Sequence, residues 1–231
     1  MSSVAAQTDS VTSPTIHQRE GWELWWRWVL AVTAGELVSF AVPSVVGAMA
    51  MGFGFSNLAF LVCIVLAGVG EGAILGSAQW LALRLAIPQM RWHEWTLPTA
   101  LAAMLAWIIG MTPSTFVDFE TVTPATLIVG GGALGILFLL SMGGAQWLAL
   151  RRYAPRAGWW VLANAVAWPV GVAMPFITLG LVPDGASAAV MIVAGVVGGV
   201  LMGIVVGALT GLALVWLLRA SHYGGKYANN G

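Results

Sequence analysis

The chain has 231 residues, of which 59% are hydrophobic and only 8% are charged, and its formal net charge at pH 7 is +0. A soluble domain carries about 25% charged residues, so this chain has too few charges to cover a surface that faces water. The balanced charge provides no basic field for nucleic acid. The single cysteine, Cys63, excludes a disulfide within the chain and a cysteine-based metal site.

The first 21 residues differ from the rest, since they are rich in Ser, Thr, Gln and Ala and lack an apolar run. We predict a disordered cytoplasmic tail there rather than a signal peptide, because no charged start is followed by an apolar stretch. Residues 22–220 are predicted to form a single transmembrane domain. Residues 221–231 are predicted to form a second, short cytoplasmic tail.

Six apolar runs are long enough to cross the hydrocarbon core of a bilayer, which takes about 20 residues of helix. None shows the alternating polarity of a membrane-spanning strand. The predicted fold is therefore an all-α integral membrane protein with six transmembrane helices. The six spans are roughly Trp25 to Ala48, Leu58 to Leu83, Thr96 to Pro113, Ala125 to Leu150, Trp159 to Leu181 and Ala188 to Leu218.

The lysines and arginines are distributed unequally over the loops. The second and fourth loops, the two termini and the start of the first span contain all of them, and the other three loops contain none. Because positive residues are retained on the cytoplasmic side, both termini are predicted to be cytoplasmic. The nine positive residues are Arg19, Arg27, Arg84, Arg91, Arg151, Arg152, Arg156, Arg219 and Lys226.

One phrase, Gln-Trp-Leu-Ala-Leu-Arg, ends the second apolar run at Arg84 and the fourth at Arg151. A degraded third copy ends at Arg219. A fixed period of this kind indicates an internal repeat, so we predict three helical hairpins at about 25–84, 95–151 and 159–219. Each phrase is predicted to provide a polar contact, an interfacial ring and a topology-fixing charge at the cytoplasmic end of its helix. The residues assigned to it are Gln79, Trp80, Arg84, Gln146, Trp147, Arg151, Trp216 and Arg219.

The odd-numbered spans also resemble one another. Trp28-Val-Leu-Ala in the first span recurs as Trp160-Val-Leu-Ala in the fifth, and in that alignment Pro43 falls on Pro175. A proline kinks or ends a helix, so each hairpin is expected to contain one such feature. Two spans per unit give every copy the same orientation, which predicts a pseudo-threefold axis along the membrane normal.

The even-numbered spans carry glycines at four-residue spacing. Such a stripe lets another backbone approach closely, and in lipid this packing has to replace the hydrophobic drive. We therefore expect the second, fourth and sixth spans to pack against each other or against partner copies. The glycines are Gly68, Gly72, Gly76, Gly131, Gly135, Gly143, Gly195, Gly199, Gly203, Gly207 and Gly211.

Eleven of the thirteen tryptophans cluster at the predicted cytoplasmic ends of the spans. An interfacial belt is the favoured interpretation, because indole prefers the headgroup level. Contact with a pigment or quinone is the alternative, and nothing else in the sequence supports it. The eleven are Trp22, Trp25, Trp26, Trp28, Trp80, Trp92, Trp95, Trp147, Trp159, Trp160 and Trp216.

Two acidic residues, Glu36 and Glu71, lie in the middle of adjacent antiparallel spans at similar predicted depth. An ionisable group at this position is costly and marks a functional candidate. Two neighbouring carboxyls are expected to share a proton, which provides a site for a proton or a small cation. The alternative is that each protonated glutamate bonds a nearby carbonyl or hydroxyl, such as that of Thr33, Ser39 or Ser77.

Three further polar side chains are embedded in the spans. Gln79 and Gln146 are predicted to form interhelical hydrogen bonds or caps rather than to contact a substrate, and Asn164 is expected to bond a backbone carbonyl. The three histidines lie outside the spans, and no catalytic, phosphate-binding or metal-spaced motif occurs. We therefore predict no enzymatic activity, no cofactor and no metal.

The phrases beginning at Gly76 and Gly143, with Gly158-Trp-Trp-Val-Leu-Ala downstream, resemble bacterial multi-pass membrane proteins that have repeated Gln-Trp-x-x-Leu-Arg hairpins. The resemblance covers roughly residues 25 to 219. It implies a location in the bacterial inner (cytoplasmic) membrane and carries over no catalytic or binding residue.

Two hypotheses about function follow. In the first, the chain is a non-catalytic scaffold or accessory subunit that packs with a membrane-protein partner or with copies of itself in the lipid bilayer. In the second, it is a small transporter or channel that uses Glu36 and Glu71. Sparse polar residues in the spans favour the first, and the paired carboxyls favour the second.

Overall fold

The computed structural model describes residues 14–228, with side chains described for residues 20–219, and this part of the chain is entirely helical apart from its loops. The helices are α1 (Pro14–Ser39), α2 (Ala41–Gly52), α3 (Asn57–Ala86), α4 (Trp92–Phe116), α5 (Pro124–Leu150), α6 (Gly158–Gly180) and α7 (Ala188–Ala228).

Six stretches of the described residues are long and apolar enough to cross a membrane, as predicted from the sequence. The first, Glu20–Gly52, combines α1 and α2, and each of the other five helices supplies one. The third span is longer than expected, because α4 begins at Trp92. There the backbone N–H of Arg91, the N-cap residue, donates to Glu94 Oε2 at 3.0 Å, and the backbone N–H of Glu94 donates to the carbonyl of Arg91 at 3.1 Å. These bonds satisfy free N–H groups at the start of the helix.

The chain termini are more helical than the composition suggested. Residues 14–21, which we expected to belong to the tail, form the first two turns of α1, and Pro14 occupies its first position, where proline is favoured. Helix α7 similarly continues to Ala228 through residues expected to be a tail. Residues 1–13 and 229–231 lie outside the described part of the chain.

Proline breaks one span and not the others. The break between α1 and α2 falls at Phe40, three residues before Pro43, which cannot donate a hydrogen bond to Ser39 and crowds its carbonyl. Flanking bonds hold the two pieces together, since Phe40 N donates to Glu36 O at 2.9 Å. Helix α6 instead runs through both Pro169 and Pro175 without interruption.

The spans are arranged as a ring in chain order. Each span packs against the next one, and α7 packs against α1, which closes the ring. Among the described residues the backbones of α3, α5 and α7 do not approach one another, since no Cα atom of one lies within 8 Å of a Cα atom of another. The expectation that the even-numbered spans pack on each other within one chain is therefore wrong.

Several of the glycines instead let an even-numbered span approach the odd-numbered span that follows it in the ring. A Cβ atom added to Gly72 of α3 would lie 2.6 Å from Ala103 Cβ and 2.7 Å from Ala100 Cα of α4. The glycines that face such a neighbour are Gly68, Gly72 and Gly76 toward α4, Gly143 toward α6, and Gly203, Gly207 and Gly211 toward α1. Open space surrounds the remaining four, Gly131, Gly135, Gly195 and Gly199.

The two ends of the ring are packed differently. We call the end that carries Arg84, Arg151 and Arg219 the basic end, and the end that carries Asp118 and Asp184 the acidic end. The main hydrophobic cluster includes Trp28, Leu83, Leu150 and Leu217 and lies toward the basic end. Toward the acidic end, every residue of α5 from 124 to 137 is exposed. The spans are therefore packed around a buried core at the basic end, whereas α5 is exposed at the acidic end.

Candidate functional site

Three tryptophans meet in the middle of the ring. Trp28, Trp95 and Trp160 come from α1, α4 and α6, and each is 0% exposed. Their ring centroids are 5.7–6.1 Å apart, and every pair is edge-to-face. This geometry is favoured by the aromatic quadrupole and contributes about 0.5–1.5 kcal/mol per pair beyond the burial of area. The three rings close the interior of the bundle toward the basic end.

Each of the three indoles donates a hydrogen bond to a polar side chain on an even-numbered span. Trp95 donates to Gln79 at 3.0 Å, and Trp160 donates to Gln146 at 3.0 Å. Trp28 donates to the hydroxyl of Thr210 at 2.9 Å. A buried indole N–H has to find an acceptor, and these bonds provide one for each ring.

The two glutamines of the repeated phrase are hydrogen bonded to each other. Gln146 Nε2 donates to Gln79 Oε1 at 3.0 Å and to Thr99 Oγ1 at 3.1 Å. Thr99 Oγ1 in turn donates to the carbonyl of Trp95 at 2.9 Å. The interhelical bonding expected of these glutamines is thus present, and it joins α3, α4 and α5 at a single point.

Asn164, expected to bond a backbone carbonyl, donates to the carbonyl of Trp160 at 2.9 Å, four residues earlier. It also accepts from the indole of Trp168 at 3.2 Å. Both partners lie on α6, so this amide stiffens one helix rather than joining two. Asn164 is buried against Gly143 of α5, where the missing side chain makes room for it.

The interfacial tryptophan belt predicted from the sequence is wrong for these three rings, which are buried in the core. For two of the three, the sequence contained a sign of their common role, because Trp28 and Trp95 have the same 67-residue spacing as the two glutamines. Five others are exposed as a belt requires, namely Trp22, Trp26, Trp92, Trp159 and Trp216.

The tryptophan and the arginine of each full copy of the phrase lie toward the surface of the basic end. The guanidinium of Arg84 lies over Trp80, 5.2 Å from the ring centroid, and that of Arg151 lies over Trp147 at 5.0 Å. In both copies the arginine follows its tryptophan by four residues, which places the two on one helix face. The indole of Trp80 also donates to the carbonyl of Met90 at 3.0 Å, which fixes the following loop.

The third copy of the phrase is offset by one helical turn from the alignment that its arginine suggests. Thr210 occupies the acceptor position of the two glutamines, and the glycine three residues before it is Gly207. Gly211, which the arginine alignment matches to Gly76 and Gly143, instead lies against Trp25 and Trp28. The internal repeat itself stays a prediction, although one type of indole contact occurs three times around the ring.

Glu36 is buried in the first span, farther from the basic end than the three tryptophans. It is 1% exposed, and within the described part of the chain neither of its carboxyl oxygens has a hydrogen-bond partner. The Thr33 hydroxyl, one turn earlier, is likewise buried without a partner. Helix α7 approaches closely here, since a Cβ at Gly203 would lie 3.5 Å from Glu36 Cβ. An unpaired buried carboxyl is costly, so its presence calls for an explanation.

Glu71 lies on α3 and has a partner that the sequence did not reveal. The indole N–H of Trp107, on α4, donates to its Oε2 atom. Glu71 is partly exposed, in contrast to Glu36, and the helices that carry the two carboxyl groups pack against each other. No local sequence pattern links Trp107 to Glu71.

The relative depth of the two glutamates follows from the packing of α1 and α2 on α3. Gly35 lies opposite Leu75, and Gly70 lies opposite Val42. Glu71 is therefore about one helical turn, roughly 6 Å, closer to the acidic end than Glu36. The sequence had placed them at similar depth, and the structure brings them together with this offset.

The hydroxyls proposed to satisfy the glutamates do not bond their side chains. Ser77 Oγ donates to the carbonyl of Ala73 at 2.6 Å, and Ser39 Oγ donates to the backbone carbonyl of Glu36 at 3.4 Å. Thr33 has no partner among the described residues. None of these three hydroxyls is bonded to a glutamate side chain among the described residues, and Glu71 instead accepts from Trp107.

A second polar cluster joins two loops on the surface of the basic end. Glu94 accepts from the Tyr153 hydroxyl at 2.7 Å and from Arg152 Nη1 at 3.2 Å. Burial and the hydrogen bond to Glu94 raise the pKa of the Tyr153 hydroxyl. These contacts tie the start of α4 to the loop after α5, so we interpret the cluster as structural.

The cavities described for the chain do not reach the glutamates. One, of about 380 Å³, is an open groove lined by residues that include Arg156, Trp159 and Leu162. The other, of about 370 Å³, is lined by residues that include Leu97, Leu148 and Arg152. Over the described residues no group of three or more His, Cys, Asp or Glu side chains could hold a metal ion.

Comparisons of the chain with protein-family models, with curated proteins and with solved structures found no match. What the geometry establishes is a six-span helical membrane protein with a polar tryptophan core and a pair of carboxyls in mid-span.

Proposed function

We propose that this chain is a non-catalytic component of a membrane assembly, a scaffold or accessory subunit, in a bacterial cytoplasmic membrane with both termini on the cytoplasmic side. The uneven distribution of lysine and arginine supports this orientation. The resemblance to bacterial proteins with repeated Gln-Trp-x-x-Leu-Arg hairpins supports the membrane. The observation that carries the assignment is the uncovered half of α5.

The acidic-end half of α5, residues 124–137, has every residue exposed. In the most apolar window of this span 6% of the residues are buried, against 17–33% in the other five spans. Within this half, Gly130, Gly131, Gly132 and Gly135 all have open space where a side chain would be. This half of α5 thus takes almost no part in the core of its own chain.

Glycine is costly in a helix that faces lipid alone. Each one lowers helix stability by about 1 kcal/mol relative to alanine, so the four together cost about 3–4 kcal/mol. Close approach of another backbone offsets that cost, because small residues allow van der Waals contact between helices in a bilayer. We therefore assign this surface to a transmembrane helix of another membrane protein.

The test replaces Gly131 and Gly135 by leucine in the full chain. Both positions are open within the chain, so the variant is expected to fold while a partner helix can no longer approach. After extraction from native membranes in mild detergent, the wild-type chain should migrate as a defined complex larger than 24.2 kDa, and the variant should not. The matched control is Gly110→Leu, since Gly110 is equally open but lies on α4.

Three results would contradict the assignment. If the wild-type chain migrates alone, this surface of α5 faces lipid rather than a partner. If the Gly110→Leu variant loses the complex to the same extent, the effect of the leucines is not specific to α5. A complex that contains this chain alone, at an integral multiple of its mass, replaces the heterologous partner by a second copy.

A second candidate function is a small transporter or channel that uses Glu36 and Glu71. The unpartnered carboxyl of Glu36 favours it, because ionisable groups within spans commonly mark ion pathways. The tryptophan core would then be the barrier on the basic side. The test is ion flux into liposomes that contain the purified chain. Flux should fall at least about tenfold in the Glu71→Gln variant, and unchanged flux would remove Glu71 from the mechanism.

A further inference from the structure

We infer that Glu36 and Glu71 form one proton-binding site, in which Glu36 holds the proton and Glu71 exchanges it. The inference rests on the site of the second candidate function and names its ligand, but it does not require that the proton crosses the membrane. It is carried by three observations, namely the unpaired carboxyl of Glu36, the contact between Trp107 and Glu71, and the difference in exposure between the two glutamates.

Glu36 is suited to the neutral form. An ionised carboxyl at 1% exposure would need hydrogen-bond donors or a cation, and its two oxygens have no partner within the described residues. Burial of an isolated carboxylate is far more costly than burial of the neutral acid. The nearby hydroxyl of Thr33 is also unpartnered, so it can accept a hydrogen bond from the protonated acid after a small rotation.

Within the described part of the chain, no positively charged side chain is placed to balance an ionised Glu36. The elements packed against α1 are α2, α3 and α7. Helix α2 has no acidic or basic residue, and the nearest charged residue of α7 along the chain, Arg219, lies sixteen residues from Gly203, the glycine beside Glu36. Helix α3 contributes Glu71, about one helical turn away, and an ionised carboxyl there has the same sign of charge.

Glu71 has the features of an exchange group. It is partly exposed whereas Glu36 is sealed, so a proton that leaves or enters the pair has to pass through Glu71. The indole N–H of Trp107 donates to it and supports a carboxylate there. One proton taken from water by Glu71 can pass to a Glu36 carboxylate, after which Glu71 is again ionised. Because the two acids interact, they bind protons as a pair rather than independently.

A metal ion fits the site less well than a proton. Besides the two glutamates, this stretch of α1 carries the hydroxyls of Thr33 and Ser39, and no cluster of three acidic, histidine or cysteine side chains is present among the described residues. Magnesium requires about six oxygen ligands in near-octahedral geometry, and calcium requires about six to eight. A proton requires one carboxyl oxygen and an acceptor.

Infrared spectroscopy of the full chain in zwitterionic lipid nanodiscs tests the inference. The wild-type chain should show a protonated-carboxyl stretching band that persists at neutral pH, and Glu36→Gln should abolish it. Glu71→Gln should keep the band but slow its shift after transfer into D₂O at least about tenfold. Glu120→Gln, in an exposed acidic-end loop, is the control and should leave both the band and its exchange unchanged.

Loss of the band in Glu71→Gln with retention in Glu36→Gln would reverse the two roles and overturn the inference. Disappearance of the wild-type band in sodium chloride, but not in choline chloride, would show a metal-cation site instead. Glu36→Asp provides a second variant if Glu36→Gln fails to fold, and it should shift the band rather than remove it. A persistent band in a preparation without ion flux would exclude transport and leave the proton site standing.

Discussion

The bond between Gln146 and Trp160 provides a direct test of the tryptophan core. Gln146→Leu leaves the indole N–H of Trp160 buried without its acceptor, which costs about 1–3 kcal/mol, while Gln79 keeps the indole of Trp95 as a donor. Trp160→Phe leaves Gln146 Oε1 without its donor and opens a small cavity, which costs about 2 kcal/mol. In the double variant neither group is orphaned. Its loss should therefore be smaller than the sum of the single losses by about 1 kcal/mol.

The measurement is the free energy of unfolding of the purified chain in mild-detergent micelles, titrated with a denaturing detergent and followed by near-ultraviolet circular dichroism. The matched control is Trp159→Phe, because Trp159 is 57% exposed and adjacent to Trp160, which is 0% exposed. A surface substitution of this kind should change the free energy of unfolding by less than about 0.5 kcal/mol.

Additive losses would refute the reasoning. If the double variant loses the sum of the two single losses within about 0.3–0.5 kcal/mol, the two side chains are not coupled and the hydrogen bond does not stabilise the core. Equal destabilisation by Trp159→Phe and Trp160→Phe would show instead that the rings act through the membrane interface, as the sequence had suggested.

Three further predictions use the same unfolding measurement. Gly72→Ala should lower the free energy of unfolding by at least about 2 kcal/mol, because the added Cβ would lie 2.6 Å from Ala103 Cβ. Gly110→Ala, in open space, should leave the free energy of unfolding unchanged or raise it by up to about 1 kcal/mol. Equal effects of the two substitutions would contradict the close packing of α3 on α4. Tyr153 has a raised pKa in the folded chain, so its contribution to the free energy of unfolding is fully present below pH 10 and is lost as the pH rises through the folded pKa. Tyr153→Phe should therefore reduce the decline of the free energy of unfolding at high pH. An unchanged pH profile would argue against the raised pKa. Arg151→Gln removes the guanidinium from above Trp147 and should cost about 0.5–1 kcal/mol, a loss that should vanish when Trp147 is already leucine.

The spans could be predicted because their cause is local. A run of apolar residues of sufficient length has to form a helix in a bilayer, whatever it packs against, since every backbone polar group has to be satisfied within the segment. The positions of the prolines were visible for the same reason, because the missing N–H belongs to the residue itself. Their effect was not, since the helix breaks near Pro43 and continues through Pro169 and Pro175. The two glutamates could be identified as candidates because an acidic residue within a long apolar run is rare.

Partners across the ring could not be predicted in this way. Trp28 is buried and Trp159 is exposed, yet in the sequence both are indoles near the end of a helix. Only the helix face on which each one lies distinguishes them. Seven of the eleven glycines predicted to join the even-numbered spans face odd-numbered ones, because the ring follows chain order, and the other four face open space. Thr210, which no spacing rule selected, accepts from Trp28 because packing offsets the third copy by one turn.

The sequence by itself determined that this chain is a six-span helical membrane protein, since hydropathy acts on each segment separately and needs no knowledge of its neighbours. The tertiary structure alone decided that three tryptophans and two glutamines form a polar core, that Trp107 binds Glu71, and that the Glu36 carboxyl has no hydrogen-bond partner among the described residues. These outcomes depend on which helix faces meet. A helix turns its face through about 100° with each residue, so an offset of one residue brings different side chains toward the neighbouring helix.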